Sequence, residues 1–107
     1  MTPKQRFNLV YALQVKQHLR AIERKYYALI RSKVEEQLQF EPDVETKNRK
    51  PLKRSVGFEV EWEIRFGPNN RFRVFYEVER EQREVYILAV GVKRGNQLFI
   101  SGEEVEL

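Results

Sequence analysis

With 107 residues, 41% of them hydrophobic and 12% aromatic, the chain is long enough to bury one core and too short for two, so a single domain over residues 1–107 is expected. Cysteine is absent and histidine occurs once, which excludes disulfides and thiolate metal sites, argues against a histidine-built metal site and implies no cofactor. No apolar run approaches the roughly 20 residues of a membrane span, and the N-terminus lacks the apolar stretch of a secretion signal, so a cytoplasmic protein without a membrane partner is expected.

The first period-2 stretch runs from Phe7 to Leu13, with Phe7, Leu9, Tyr11 and Leu13 on one face, and predicts a strand. From Val15 to Leu38 the apolar positions step by three or four: Val15, Leu19, Ile22, Tyr26, Leu29, Ile30, Val34 and Leu38. Two shorter antiparallel helices would both fit on a small sheet where one long rod would overhang it, so a break is placed near Arg24 to Tyr27. Pro42 ends the helical region. The segment Lys47 to Arg54 then holds five cations in eight residues and one proline, and reads as an extended, solvated loop or a strap that contacts phosphates.

Phe58 to Phe66 alternates strictly between apolar and charged residues and predicts a half-buried strand. Gly67, Pro68, Asn69 and Asn70 supply a turn, and Phe72 to Glu79 returns antiparallel. After a polar turn, Val85 to Val92 is apolar on both faces, as an interior strand is, and Gly91 within it marks a bulge or a close backbone approach. Gly95-Asn96 makes another turn, Gln97 to Ile100 pairs briefly, and Glu103, Glu104 and Glu106 form an acidic tail. The reading is an α+β domain in the order β-α-α-β-β-β.

Charge is unevenly spread. The formal net charge is +4, yet residues 1–58 carry +7 and residues 59–107 carry −3. Two consecutive hairpins bring Arg65, Arg71, Arg73, Lys93 and Arg94 to one end of the sheet and Glu59, Glu61, Glu77, Glu79, Glu81 and Glu84 to the other. Arg65, Arg71 and Arg73 share the parity of the charged series and are expected to point outward together. Like charges directly opposite destabilise a sheet. The cluster therefore implies either neutralisation by Glu63 as a surface ion pair or a phosphate site for nucleic acid, which arginine's planar donor fork suits. His18, beside the apolar Leu19, is expected to be exposed.

The element order, with PLK at Pro51–Lys53, WEIRFG at Trp62–Gly67, RFRVFYEV at Arg71–Val78 and VYILAVGVK at Val85–Lys93, resembles the RelE/ParE toxin superfamily over roughly Phe7 to Phe99. That resemblance implies a small antiparallel sheet packed on a helical hairpin, and a bacterial toxin with a cognate antitoxin as partner. In ribosome-dependent relatives, basic residues on these strands bind messenger RNA and stabilise charge at the scissile phosphate. Carried over by position, Arg65, Arg73 and Lys93 take that role, with Glu63 as a possible base and Lys50, Lys53, Arg54, Arg71 and Arg94 as further nucleic-acid contacts. The sequence departs from the enzymes at two places. Glu63 stands where they often carry a lysine, and Phe99 stands where a tyrosine often acts. The leading expectation is an endoribonuclease that cuts messenger RNA on the ribosome and so inhibits translation. The alternatives are a ParE-like inhibitor of DNA gyrase without nuclease activity, or an inactive relative that only binds antitoxin.

Overall fold

The computed structural model describes residues 5–52 and 60–105. The described part of the chain runs β1 (Asn8–Tyr11), α1 (Val15–Arg20), a 3-10 turn (Arg24–Tyr26), α2 (Tyr27–Leu38), β2 (Arg49–Pro51) and β3 (Trp62–Phe66). A second 3-10 turn (Pro68–Asn70) follows, then β4 (Phe72–Glu79), β5 (Glu84–Arg94), β6 (Gln97–Ile100) and β7 (Glu103–Val105). The strands form one sheet in the order β2-β3-β4-β5-β6-β7, with β1 beside β5. All pairings are antiparallel except β1 with β5, which is parallel because α1, the turn and α2 carry the chain back across the sheet before β2. The helices cover one face. Val15, Ile22, Ile30, Val34 and Leu38 pack there on Ile64, Phe72, Val74, Tyr76, Ile87 and Val90.

The helical stretch does divide. α1 stops at Arg20, Glu23 is extended (φ −58, ψ 136), and the 3-10 turn runs directly into α2. The first strand is shorter than its alternation suggested. It ends at Tyr11, and Leu13 lies 90% exposed rather than on the apolar face.

The basic segment after Pro42 is not a free loop. Arg49 to Pro51 pair with β3, and the Arg49 guanidinium is buried, with Nε donating to the Val44 carbonyl at 2.6 Å and Nη1 donating to the Gln37 carbonyl. The Tyr76 hydroxyl donates to the Pro42 carbonyl at 2.6 Å. These two side chains satisfy carbonyls that the end of α2 and the following turn leave without backbone partners. Lys53, Arg54, Phe58 and Glu59 lie outside the described residues; of the strand expected over Phe58 to Phe66, Val60 and Glu61 are described and precede β3, which begins at Trp62.

β5 carries the irregularity that Gly91 suggested, but three residues earlier. Phe75 pairs with Ala89 and Tyr76 with Ile87, which leaves Leu88 as an extra residue opposite β4. That insertion resets the alternation, so that Val85 and Ile87 before it and Val90 and Val92 after it all face the helices. Gly91 answers the other alternative, close approach: a Cβ there would meet Leu98 Cδ1 and the Phe99 carbonyl oxygen at 3.0 Å.

The described part of the acidic tail, Glu103 and Glu104, is also structured, and Glu106 lies outside the described residues. Ser101 (φ 56) and Gly102 (φ 79) make a tight left-handed turn, and Glu103 to Val105 return along β6. The second face of the sheet thereby gains its own small apolar cluster. Phe75, Ala89, Leu98 and Ile100 are buried there, with Leu52, Val60 and Val105 against them.

A candidate polyanion-binding site at the basic end of the sheet

The register places Arg65 directly opposite Arg73, and Arg73 opposite Gly91. Two guanidiniums in that position repel, and the structure resolves the conflict from below. Glu63, two residues before Arg65 on the same face, is only 4% exposed and accepts from both: from Arg73 Nη1 at 2.5 Å and from Arg65 Nε at 3.2 Å. Arg73 is itself 7% exposed and donates through Nε to the Asn70 carbonyl at 3.1 Å. The expectation that Arg65, Arg71 and Arg73 point outward together is therefore corrected. Arg73 is buried because its face of the sheet is covered by the second apolar cluster, Arg65 stays half exposed, and Arg71 turns to the helix side.

Arg71 reaches that side because it stands at the end of the Pro68–Asn70 turn, just before β4 begins. Its guanidinium lies 5.5 Å from the Tyr26 ring centroid and 5.6 Å from that of Phe72. Tyr26 comes from the turn between the helices and packs on Phe72 at 5.0 Å between centroids. Lys25 sits 5.2 Å over the same tyrosine ring, so the tip of the helical hairpin adds its cation to this end of the sheet. On β5, Arg94 lies 5.5 Å from the Phe99 ring.

Between these elements opens a concavity of about 450 Å³, lined by Pro68, Asn69, Arg71, Arg73, Lys93, Arg94 and Gly95. It is held in shape by the Lys93 N–H donating to the Arg71 carbonyl at 2.6 Å and by left-handed backbone at Asn69 (φ 55), Asn70 (φ 51) and Gly95 (φ 62). Among the described residues no carboxylate, imidazole or hydroxyl lines it. Of the predicted site residues, the structure brings Arg71, Arg73, Lys93 and Arg94 together here, with Glu63 and Arg65 behind Arg73. Lys50 lies away on β2, bound to Glu45 at 3.3 Å. Lys53 and Arg54 lie outside the described residues. Sequence reasoning missed Lys25, because only the packing of Tyr26 on Phe72 brings the hairpin tip to β4, and it read Asn69 as a turn residue alone. The acidic counterpart forms at the opposite end, where Glu79 faces Glu84 and Glu61 accepts from the Val78 N–H at 3.1 Å. Glu59 lies outside the described residues.

His18 is not the exposed residue its neighbours suggested. β1 pairs with β5 as far as Ile87 and β6 pairs from Gly91 onward, so one edge of β5 is bare between them. α1 fills the gap: the Val90 N–H donates to His18 Nδ1 at 3.2 Å, and Gln14 Nε2 donates to the Leu88 carbonyl at 3.4 Å. An accepting Nδ1 fixes the neutral tautomer, with the proton on Nε2.

Two predictions follow from this geometry. Replacing Glu63 with Gln leaves two guanidiniums beside a neutral amide, and is expected to lower unfolding free energy by about 3 kcal/mol in chemical denaturation. Burial lowers the His18 pKa from its ordinary 6.5. The unfolded chain then binds the additional proton first, so this contribution to stability is full above about pH 6.5 and is lost as pH falls from there through the folded pKa. His18→Asn is expected to remove that slope in denaturation midpoints measured from pH 7.5 to 5.5, and an unchanged slope would show that another group carries it.

No curated protein matches the chain. Residues 9–96 match the family described as the ParE toxin of the type II toxin-antitoxin system, parDE. That span takes in β1 from Leu9, both helices, the concavity and its cations, and the α+β fold is the one this family fits. Membership implies a cognate antitoxin as partner. The chain belongs to the ParE toxin family and is the toxin component of a type II toxin–antitoxin system.

Proposed function

We propose that this toxin acts by binding, as a ParE-like inhibitor of DNA gyrase, and cuts no RNA. The observation that carries the reading is the commitment of Glu63. Cleavage of RNA through its 2′-hydroxyl needs a group to take that proton and another to protonate the departing oxygen. Glu63 is the carboxylate nearest the arginines, and it is buried and already accepts from Arg65 and Arg73. His18 already accepts at Nδ1, which leaves Nε2 a donor, and Phe99 has no hydroxyl to offer. A phosphate resting among Arg71, Lys93 and Arg94 would meet cationic donors, and among the described residues no carboxylate or imidazole lines that concavity; His18 lines a separate hollow of about 90 Å³ that shares Arg94. Cationic donors with no group beside them to move the proton favour binding over turnover.

The antitoxin's seat in this reading is a cleft of about 460 Å³ on the helix side of β1, where Phe7, Leu9, Tyr11, Val15, Leu19 and Ile30 supply an apolar lining and Arg6, Arg31 and Glu35 a charged rim. β1 pairs only with β5 among the described strands, so its other edge is open to an added extended segment, with Tyr11 44% exposed beside it.

Purified toxin is expected to inhibit supercoiling by purified gyrase while leaving messenger RNA intact in translating extracts. RNA cut in phase with codons, with supercoiling unaffected, would replace this reading with the nuclease one. Tyr11→Asp is expected to weaken antitoxin binding at least tenfold, about 1.4 kcal/mol, in a titration with the purified antitoxin, and unchanged affinity would move the seat elsewhere.

A further inference from the structure

We infer that the concavity at the basic end of the sheet is a binding site for the sugar–phosphate backbone of duplex DNA. The proposal goes beyond gyrase inhibition and does not depend on it, since the contact belongs to the toxin alone.

Three observations carry it. The first is the lining: Asn69, Arg71, Arg73, Lys93 and Arg94 surround about 450 Å³ of open space without one acidic residue among them. Phosphate oxygens are the ligand such a set of donors recognises, Arg through its planar fork and Lys as a point charge. The second is support. Arg71 lies over Tyr26 and Phe72, and Arg94 lies over Phe99, so among the described residues aromatic faces hold these guanidiniums and no carboxylate pairs with them. Arg73, by contrast, is neutralised by Glu63 and serves as the floor of the site.

The third observation selects the form of nucleic acid. Single strands are gripped by open aromatic faces on which unstacked bases lie. The aromatics here are not open. Phe66 and Phe72 are buried, Tyr26 carries both Lys25 and Arg71, and Phe99 carries Arg94. Cationic donors around an open concavity, with no open stacking platform among the described residues, fit a duplex whose bases stay paired. Binding of this kind is independent of sequence and strongly dependent on salt.

The test is fluorescence anisotropy of labelled 20-base-pair duplexes of unrelated sequence, titrated with purified toxin free of antitoxin between 50 and 200 mM salt. With about four phosphates engaged, affinity is expected to fall about 100-fold over that range. Arg71→Gln with Arg94→Gln is expected to reduce the slope of log affinity against log salt by about two, while Lys33→Gln with Arg83→Gln, equal in charge and placed away from the concavity, leaves the slope unchanged. Three results would overturn the proposal: no binding to duplex at 50 mM salt, equal loss of slope in both double variants, or tighter binding to single-stranded RNA of the same length. Both assays contain duplex DNA, so the variant is what separates them: gyrase inhibition that persists in Arg71→Gln with Arg94→Gln would leave the gyrase reading standing whatever the duplex result.

Discussion

One extra residue in β5 organises the molecule. A strand of eleven residues in strict alternation cannot present Val85, Ile87, Val90 and Val92 to the same side, since two are odd and two are even. Leu88, unmatched opposite β4, moves the second pair onto the helix face. It also brings Ala89 and Gly91 to the other face, where Gly91 lies opposite Arg73 and is closed over by Leu98 and Ile100. Without the insertion, Lys93 and Arg94 would trade faces.

The same strand explains why the charges are arranged as they are. Its far end brings two cations to an end of the sheet where β3 and β4 already place two arginines face to face. Coulomb repulsion between such a pair is severe only if both are desolvated and unpaired. Glu63 is placed at the position on β3 that reaches both, and the carboxylate is spent there. The outer cations, Arg71 and Arg94, are held by aromatic rings that stabilise charge without neutralising it. An inner layer is thus electrically closed and an outer layer remains available to a ligand.

Much of this was legible in the sequence. The alternation from Trp62 to Phe66 and from Phe72 to Glu79, separated by Gly-Pro-Asn-Asn, defines a hairpin whose register must oppose Arg65 to Arg71 or Arg73, and the second is observed. The break between the helices was placed to within a few residues by the size of the sheet. What local patterns did not contain was the second face. Parity assigns Glu63 and Arg73 to a charged, outward series, and nothing in that alternation announces that β6, β7 and the residues around β2 supply another apolar cover for it. Arg49 was hidden for the same reason. A guanidinium that caps carbonyls of Gln37 and Val44 is indistinguishable in sequence from its solvated neighbours Lys47 and Lys50. His18 pairs with a bare backbone N–H that exists only because β1 stops at Tyr11 and β6 starts at Gln97.

The outer margins of the sheet differ in one more respect. β2 and β7 are three residues long, β2 ends in Pro51, and β7 is Glu-Glu-Val, so neither offers a template for a further strand. β1 is the exception, with Val10 and Tyr11 exposed and a bare flank. Among the described strands β1 is therefore the adhesive margin, and it is the margin proposed for the antitoxin. Early pairing during synthesis would then act as a chaperone as well as a neutraliser, and loss of the antitoxin would release a poison and shorten its colloidal lifetime in the same event.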